Sequence, residues 1–95
     1  MFVIELVYRA ELDAIDAQMK PHMAYLRTHY DAGTFVMSGR KVPRDGGIIL
    51  ATGDDRDAIE RIVREDPFVA NGFAEYRIIQ FRASQKADDL PGRLA

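Results

Sequence analysis

The apolar residues of this 95-residue chain change spacing from every second position to every third or fourth, and each change marks the end of an element. Residues 2–8, Phe-Val-Ile-Glu-Leu-Val-Tyr, are rich in β-branched and aromatic types and read as a first strand. Phe2, Ile4, Leu6 and Tyr8 share one face; Val3, Glu5 and Val7 share the other. The second face is not cleanly polar, so a sheet covered in part on both sides is expected. From residue 11 to 32 the period is helical, with Leu12, Ile15 and Met19 in one set and Met23, Leu26 and Tyr30 in the next. Pro21 falls between them. Proline is disfavoured inside a helix and well suited to its first position, which predicts a short helix over 11–19 and a longer one over 21–32. Gly33 then supplies a left-handed C-cap.

Residues 34–38 read as a second strand ending at Gly39, and 40–47, with Pro43, Asp45, Gly46 and Gly47, as a loop. A third strand is expected over 47–52. Gly53-Asp54-Asp55 turns the chain and caps an amphipathic helix over 55–65, whose stripe is Ala58, Ile59, Ile62 and Val63. Asp66-Pro67 ends it. A short turn over 68–72 leads to a fourth strand over 73–81, with Phe73, Ile79 and Phe81 on one face and Ala74, Tyr76 and Ile78 on the other. Residues 82–95, whose large apolar residues are Leu90 and Leu94, read as a mobile tail.

The resulting order, βαββαβ with its first helix broken at Pro21, predicts an α+β, ferredoxin-like fold: an antiparallel four-stranded sheet with helices on one face. The open face would carry Val3 and Val7, or Ile4 and Leu6 if the register is inverted. An exposed apolar sheet face is an association surface. A homodimer packed sheet to sheet, a dimeric α/β-barrel-like association, is therefore expected.

Charge and composition then remove several function classes. Thirteen basic and fifteen acidic residues are interspersed, for a net charge of −2. No basic stripe is present to displace counterions from phosphate, so no nucleic acid is expected as partner. The chain has no Cys, and hence no disulfide framework, thiolate metal site or thiol nucleophile. The run 2–8 is broken by Glu5 and is far shorter than the ~20 apolar residues of a membrane span. It also lacks the pattern of a signal peptide. A soluble, cytoplasmic protein without a membrane partner is the expectation.

His22 is the first candidate for chemistry, placed just after Pro21 in the first turn of the second helix. The positive end of the helix dipole disfavours imidazolium, which leaves a neutral ring able to act as a base. A first-turn histidine also commonly satisfies a nearby carbonyl or carboxylate. His29 lies roughly 10 Å further along the helix at 1.5 Å per residue, too far to share a metal with His22, and reads as a surface or edge residue. Metal-ligand spacing is absent elsewhere, and neither metal nor cofactor is expected.

Asp66, followed by Pro67, is suited both to capping a short turn and to orienting an imidazole. Ser38 and Gly39, at a strand end, offer a hydroxyl and a backbone N–H to a ligand, or mark a bulge. Gly46-Gly47 leads into a strand without phosphate-loop spacing. Arg27, Arg40, Lys41 and Arg44 can steer an anionic substrate, though such residues ordinarily form a solvated face. Tyr8, Tyr25, Tyr30, Phe35, Phe73 and Tyr76 stand at core-compatible positions. Phe68, just after Asp66-Pro67, is placed to wall a pocket.

Several of these stretches together resemble the YciI-like (YCII-related) family: Pro21-His22-Met-Ala-Tyr-Leu26, Ala32-Gly33, Ser38-Gly39, Gly46-Gly47-Ile-Ile-Leu, Glu65-Asp66-Pro67-Phe68-Val69, Gly72 and Glu75-Tyr76-Arg77-Ile78. The resemblance runs over roughly residues 2–81, giving a domain over 1–82 and a polar tail over 83–95. It implies a ferredoxin-like fold dimerising through its sheets. It also implies a cleft in which the family's His and Asp, here His22 and Asp66, form an acid–base pair, and Ser38 and Gly39 match the family's small-residue strand end; with Phe68 they are the substrate contacts that the residues themselves suggest. The family's small-residue strand end is often followed by proline; here Arg40 and Lys41 follow, and the proline comes at Pro43. Related members remove HCl from hydroxylated chlorinated rings, chemistry that a metal-free His base held by Asp would suit.

Three readings stand at this point. One is a small lyase or dehydrochlorinase-type enzyme acting on a small, phenolic molecule. The second is a non-catalytic ligand-binding or sensing dimer using the same cleft. The third is an interaction module whose sheet face or tail docks another protein.

Overall fold

A computed structural model describes residues 1–94; Ala95, the end of the predicted tail, lies outside the described residues. Strand β1 (Phe2–Tyr8) pairs on one side with β3 (Gly46–Ala51) and on the other with β4 (Ala74–Gln80), while β2 (Phe35–Arg40) adds to the far edge of β3. All pairings are antiparallel and the order is β2-β3-β1-β4, the ferredoxin-like arrangement. Phe2, Ile4 and Leu6 are buried, and Ile49, Ala51, Ala74 and Ile78 join them on the same side of the sheet. The predicted alternation is therefore correct in its first register, and Val3 and Val7 belong to the open face.

Helices α1 (Leu12–Ala17), α2 (Met19–Asp31), α3 (Arg56–Arg64) and the single-turn α4 (Pro67–Ala70) cover the other face. Their inward residues are Ile15, Leu26, Ile59, Val63 and Phe68, each contributing about 1.5–3 kcal/mol relative to an exposed position. Asp55 caps α3 by accepting the Ala58 N–H at 3.2 Å. No helix among the described residues is long and apolar enough to cross a membrane.

Three local expectations are revised or sharpened. Helix α2 begins at Met19, two residues before the predicted start, so that Pro21 is its third residue. The first-turn amides have no acceptor within the helix, so proline costs no hydrogen bond there; the first bond that matters, His22 N–H to the Gln18 carbonyl at 3.1 Å, starts one residue later. The short turn expected over 68–72 is a single helical turn over 67–70, which Asp66 caps and Pro67 opens. Strand β2 runs on to Arg40, and its bulge lies between Phe35 and Met37 rather than at Gly39. In the tail, Gly92–Leu94 form a 3₁₀ turn, where Arg93 donates to the Gly33 carbonyl at 3.2 Å.

Two glycines carry particular weight. Gly33 adopts φ +80°, which closes α2 in the left-handed conformation expected of it. A Cβ on Gly46 would lie 1.9 Å from the Leu6 carbonyl oxygen, so only glycine lets β3 start this close to β1.

Candidate functional site

His22 and Asp66, 44 positions apart, meet where the first turn of α2 faces the start of α4. His22 Nδ1 is 2.9 Å from Asp66 Oδ1, and the two side chains are 11% and 1% exposed. The same oxygen accepts the Phe68 N–H at 2.9 Å, so Asp66 caps α4 and holds the imidazole at once. Its Oδ2 is buried without a hydrogen-bond partner among the described residues. A carboxylate only accepts, so in the neutral ring Nδ1 carries the proton and Nε2 presents its lone pair. Phe68 stacks on the imidazole with centroids 4.1 Å apart and planes 13° from parallel. Tyr8 packs against Phe68 with the two rings nearly perpendicular and their centroids 5.9 Å apart.

Behind the histidine, the Tyr25 hydroxyl donates to the Ile62 carbonyl at 2.8 Å. Burial, with the negative charges of Asp66 and Glu65 adding to it, pushes the Tyr25 phenol well above its ordinary range and keeps it a neutral donor. Tyr25 thereby braces α2 against α3.

In front of the histidine lies a pocket of about 240 Å³. Leu6, Leu26, Ile49 and Phe68 give it apolar walls; His22, Tyr8, Ser38 and Arg40 bring polar groups to its lining. Among the described residues, no group of three His, Cys, Asp or Glu side chains could hold a metal ion. A larger hollow of about 680 Å³ lies between the amino terminus, Gly53 and the tail, but neither His22 nor Asp66 lines it. The smaller pocket is the chemically equipped one.

The structure brings His22, Ser38, Gly39 and Phe68 to this pocket and sets Asp66 directly behind His22. The Ser38 hydroxyl is already engaged, sharing a 2.6 Å hydrogen bond with the Tyr30 hydroxyl. His29 stands apart, half-buried against Tyr25 and Phe35, with Nε2 3.5 Å from Glu65. Tyr8 was expected in the core; it is half-buried and lines the pocket, its place at the end of an inward-facing strand row being the one sequence signal for that role. Met19 and Met23, which also line the pocket, carried no signal beyond their helical spacing.

A family model described as the YCII-related domain matches residues 1–82. No curated protein matches the chain. Among solved structures, the chain is similar to 5-chloro-2-hydroxyhydroquinone dehydrochlorinase (TftG) from Burkholderia phenoliruptrix AC1100, in complex with 2,5-dihydroxybenzoquinone. The TM-score is 0.71 at 15% identity, covering 86% of this chain and 94% of that one. A likeness at that identity establishes the fold.

Proposed function

The chain belongs to the YCII-related domain family, and we propose that it is a small acid–base enzyme, a lyase that removes HCl from a hydroxylated, chlorinated ring. The observation that carries this reading is the 2.9 Å contact between His22 and a carboxylate withdrawn from solvent, at the wall of a pocket with room for one small ring. The dehydrochlorinase neighbour supplies the reaction class.

In this scheme Nε2 of His22 takes the proton of a ring hydroxyl. The ring reacts as its keto tautomer, in which a second hydroxyl has passed its proton to the chlorine-bearing carbon and made it tetrahedral. The O–H electron pair of the conjugated hydroxyl becomes a carbonyl π bond, the intervening π electrons shift, and the C–Cl bond breaks with its pair leaving as chloride, which gives a quinone. The ring loses HCl as a whole, and no oxidant or reductant enters. Asp66 holds the ring by Nδ1 and stabilises the imidazolium that forms, the role a buried carboxylate plays beside a histidine base.

Asp66→Asn tests the role of the charge alone. The Phe68 N–H demands an acceptor at the Oδ1 position, so the amide oxygen occupies it and still accepts from His22; the amide nitrogen takes the unpartnered Oδ2 place. A hydrogen bond to an ionised group exceeds a neutral one by about 1–2 kcal/mol, so chloride release from a chlorinated hydroxyhydroquinone should slow about tenfold in kcat. Wild-type protein that releases no chloride overturns the reading in favour of a non-catalytic ligand-binding protein; a variant as fast as wild type removes the charge of Asp66 from the chemistry.

The functional unit in this proposal is a homodimer. On the open sheet face Val3, Val7, Ile48 and Leu50 are half-buried while Met37, Ile79 and Phe81 are 62%, 43% and 44% exposed, an apolar surface of the kind that pairs with a copy of itself. Ile79 stands opposite Val3, on the edge strand β4. Sedimentation should give twice the chain mass for wild type and the chain mass for Ile79→Asp. A wild-type monomer at micromolar concentration rules the pairing out.

A further inference from the structure

The bulge in β2 decides which side chains reach the pocket. Phe35 pairs with Ala51 and Met37 with Leu50, so the strand carries one extra residue between them. Strict alternation from inward-facing Phe35 would send Ser38 and Arg40 to the open face. After the extra residue, Ser38 pairs with Ile49 and Arg40 with Gly47, the positions that stand opposite the buried Ile4 and Leu6 of β1. Arg40 therefore belongs to the helix side of the sheet, where it lines the pocket with His22.

Its neighbours are committed elsewhere. Lys41 lies 3.2 Å from Glu5 and 3.3 Å from Asp45, and Arg44 pairs with Asp16. Neither Lys41 nor Arg44 lines the pocket. Arg40 has no carboxylate within 4.0 Å among the described residues. The carboxyl of Asp16 is held below its usual range chiefly by the hydrogen bond from Arg44 and, last, by the field of Arg40. Arg40, Arg44 and Asp16 thus leave one net positive charge at the rim of an otherwise largely apolar pocket.

We propose that Arg40 is a specificity-determining residue that binds an acidic substituent, so that this pocket selects small hydroxylated rings bearing a carboxylate. This rests on reading the pocket as the ligand site and extends it by naming the substrate class. The planar guanidinium pairs with a carboxylate in two parallel hydrogen bonds. An uncharged ring makes the apolar contacts with Leu6, Leu26 and Phe68 alone.

The test titrates 2,5-dihydroxybenzoate and hydroquinone against wild type and Arg40→Gln, following backbone amide NMR signals. Both rings should shift Phe68 and Ser38. Wild type should bind the carboxylate about tenfold more tightly than hydroquinone, a factor typical of one charge-assisted contact at a partly solvated site. In Arg40→Gln that ratio should fall to about one, and Arg40→Lys, which keeps the charge without the fork, should retain part of it. A wild type without the preference, or a preference that survives in Arg40→Gln, overturns the assignment of Arg40. The acid–base reading is judged separately, by chloride release. Two rings that leave Phe68 and Ser38 unmoved overturn the pocket itself, and Arg40 with it.

Discussion

Replacing His22 with asparagine is expected to lower kcat for chloride release by about 10²–10⁴, the range contributed by a positioned general base. Asparagine places an amide N–H near the position of Nδ1, so Asp66 Oδ1 keeps a donor and the buried carboxylate is not stranded. What disappears is Nε2, the atom that takes the proton. Because that atom acts on the reacting bond and the walls of the pocket are untouched, KM should change much less than kcat. Alanine is the informative contrast. It removes the donor as well, leaving Asp66 buried with the Phe68 N–H as its one remaining partner, and a buried acceptor deprived of a donor typically costs about 1–3 kcal/mol. His22→Asn should therefore melt close to wild type while His22→Ala melts well below it. Equal turnover in wild type and His22→Asn would remove the histidine from the chemistry.

The parts of this fold that could be read in the sequence are those whose periods run unbroken. β1 alternates without interruption from Phe2 to Tyr8, and its buried row is the row predicted. Helix α3 announces itself by Asp55, then Ile59 and Val63 one turn apart. Periodicity fails where a single residue is inserted. The extra residue between Phe35 and Met37 reverses the facing of everything after it in β2, so neither the inward position of Ser38 nor that of Arg40 followed from alternation. Pro21 misled in a smaller way, since the first turn of a helix accepts proline at several positions and the residue type alone does not say which. The meeting of His22 with Asp66 had no local signature at all. Each residue was sensible as a helix-start feature on its own, and only the resemblance of the whole chain joined them before the packing of α4 against α2 did.

Phe68→Ala carries the largest expected loss of stability, about 3–5 kcal/mol for truncating a fully buried Phe. The ring is 1% exposed, with the His22 imidazole stacked on its face and the Tyr8 ring packed nearly perpendicular to it. Neither neighbour can follow the ring inward: His22 is tied to Asp66, and Tyr8 ends a strand paired with Ala74. The cavity therefore stays open, which is the condition under which such substitutions cost most. At 4–8 °C per kcal/mol for a domain of this size, Tm should fall by at least about 12 °C. The backbone of residue 68 keeps its N–H on Asp66, so the cap of α4 survives and the loss belongs to the side chain. A small aromatic molecule bound in the vacated space should raise Tm again in a concentration-dependent way. Phe68→Leu should recover most of the stability but not the flat surface against the imidazole. If that surface holds the ring in line with Asp66, Phe68→Leu will turn over more slowly than wild type at nearly equal Tm. Wild-type turnover in Phe68→Leu would mean that the hydrogen bond to Asp66 aligns His22 without help from the stack.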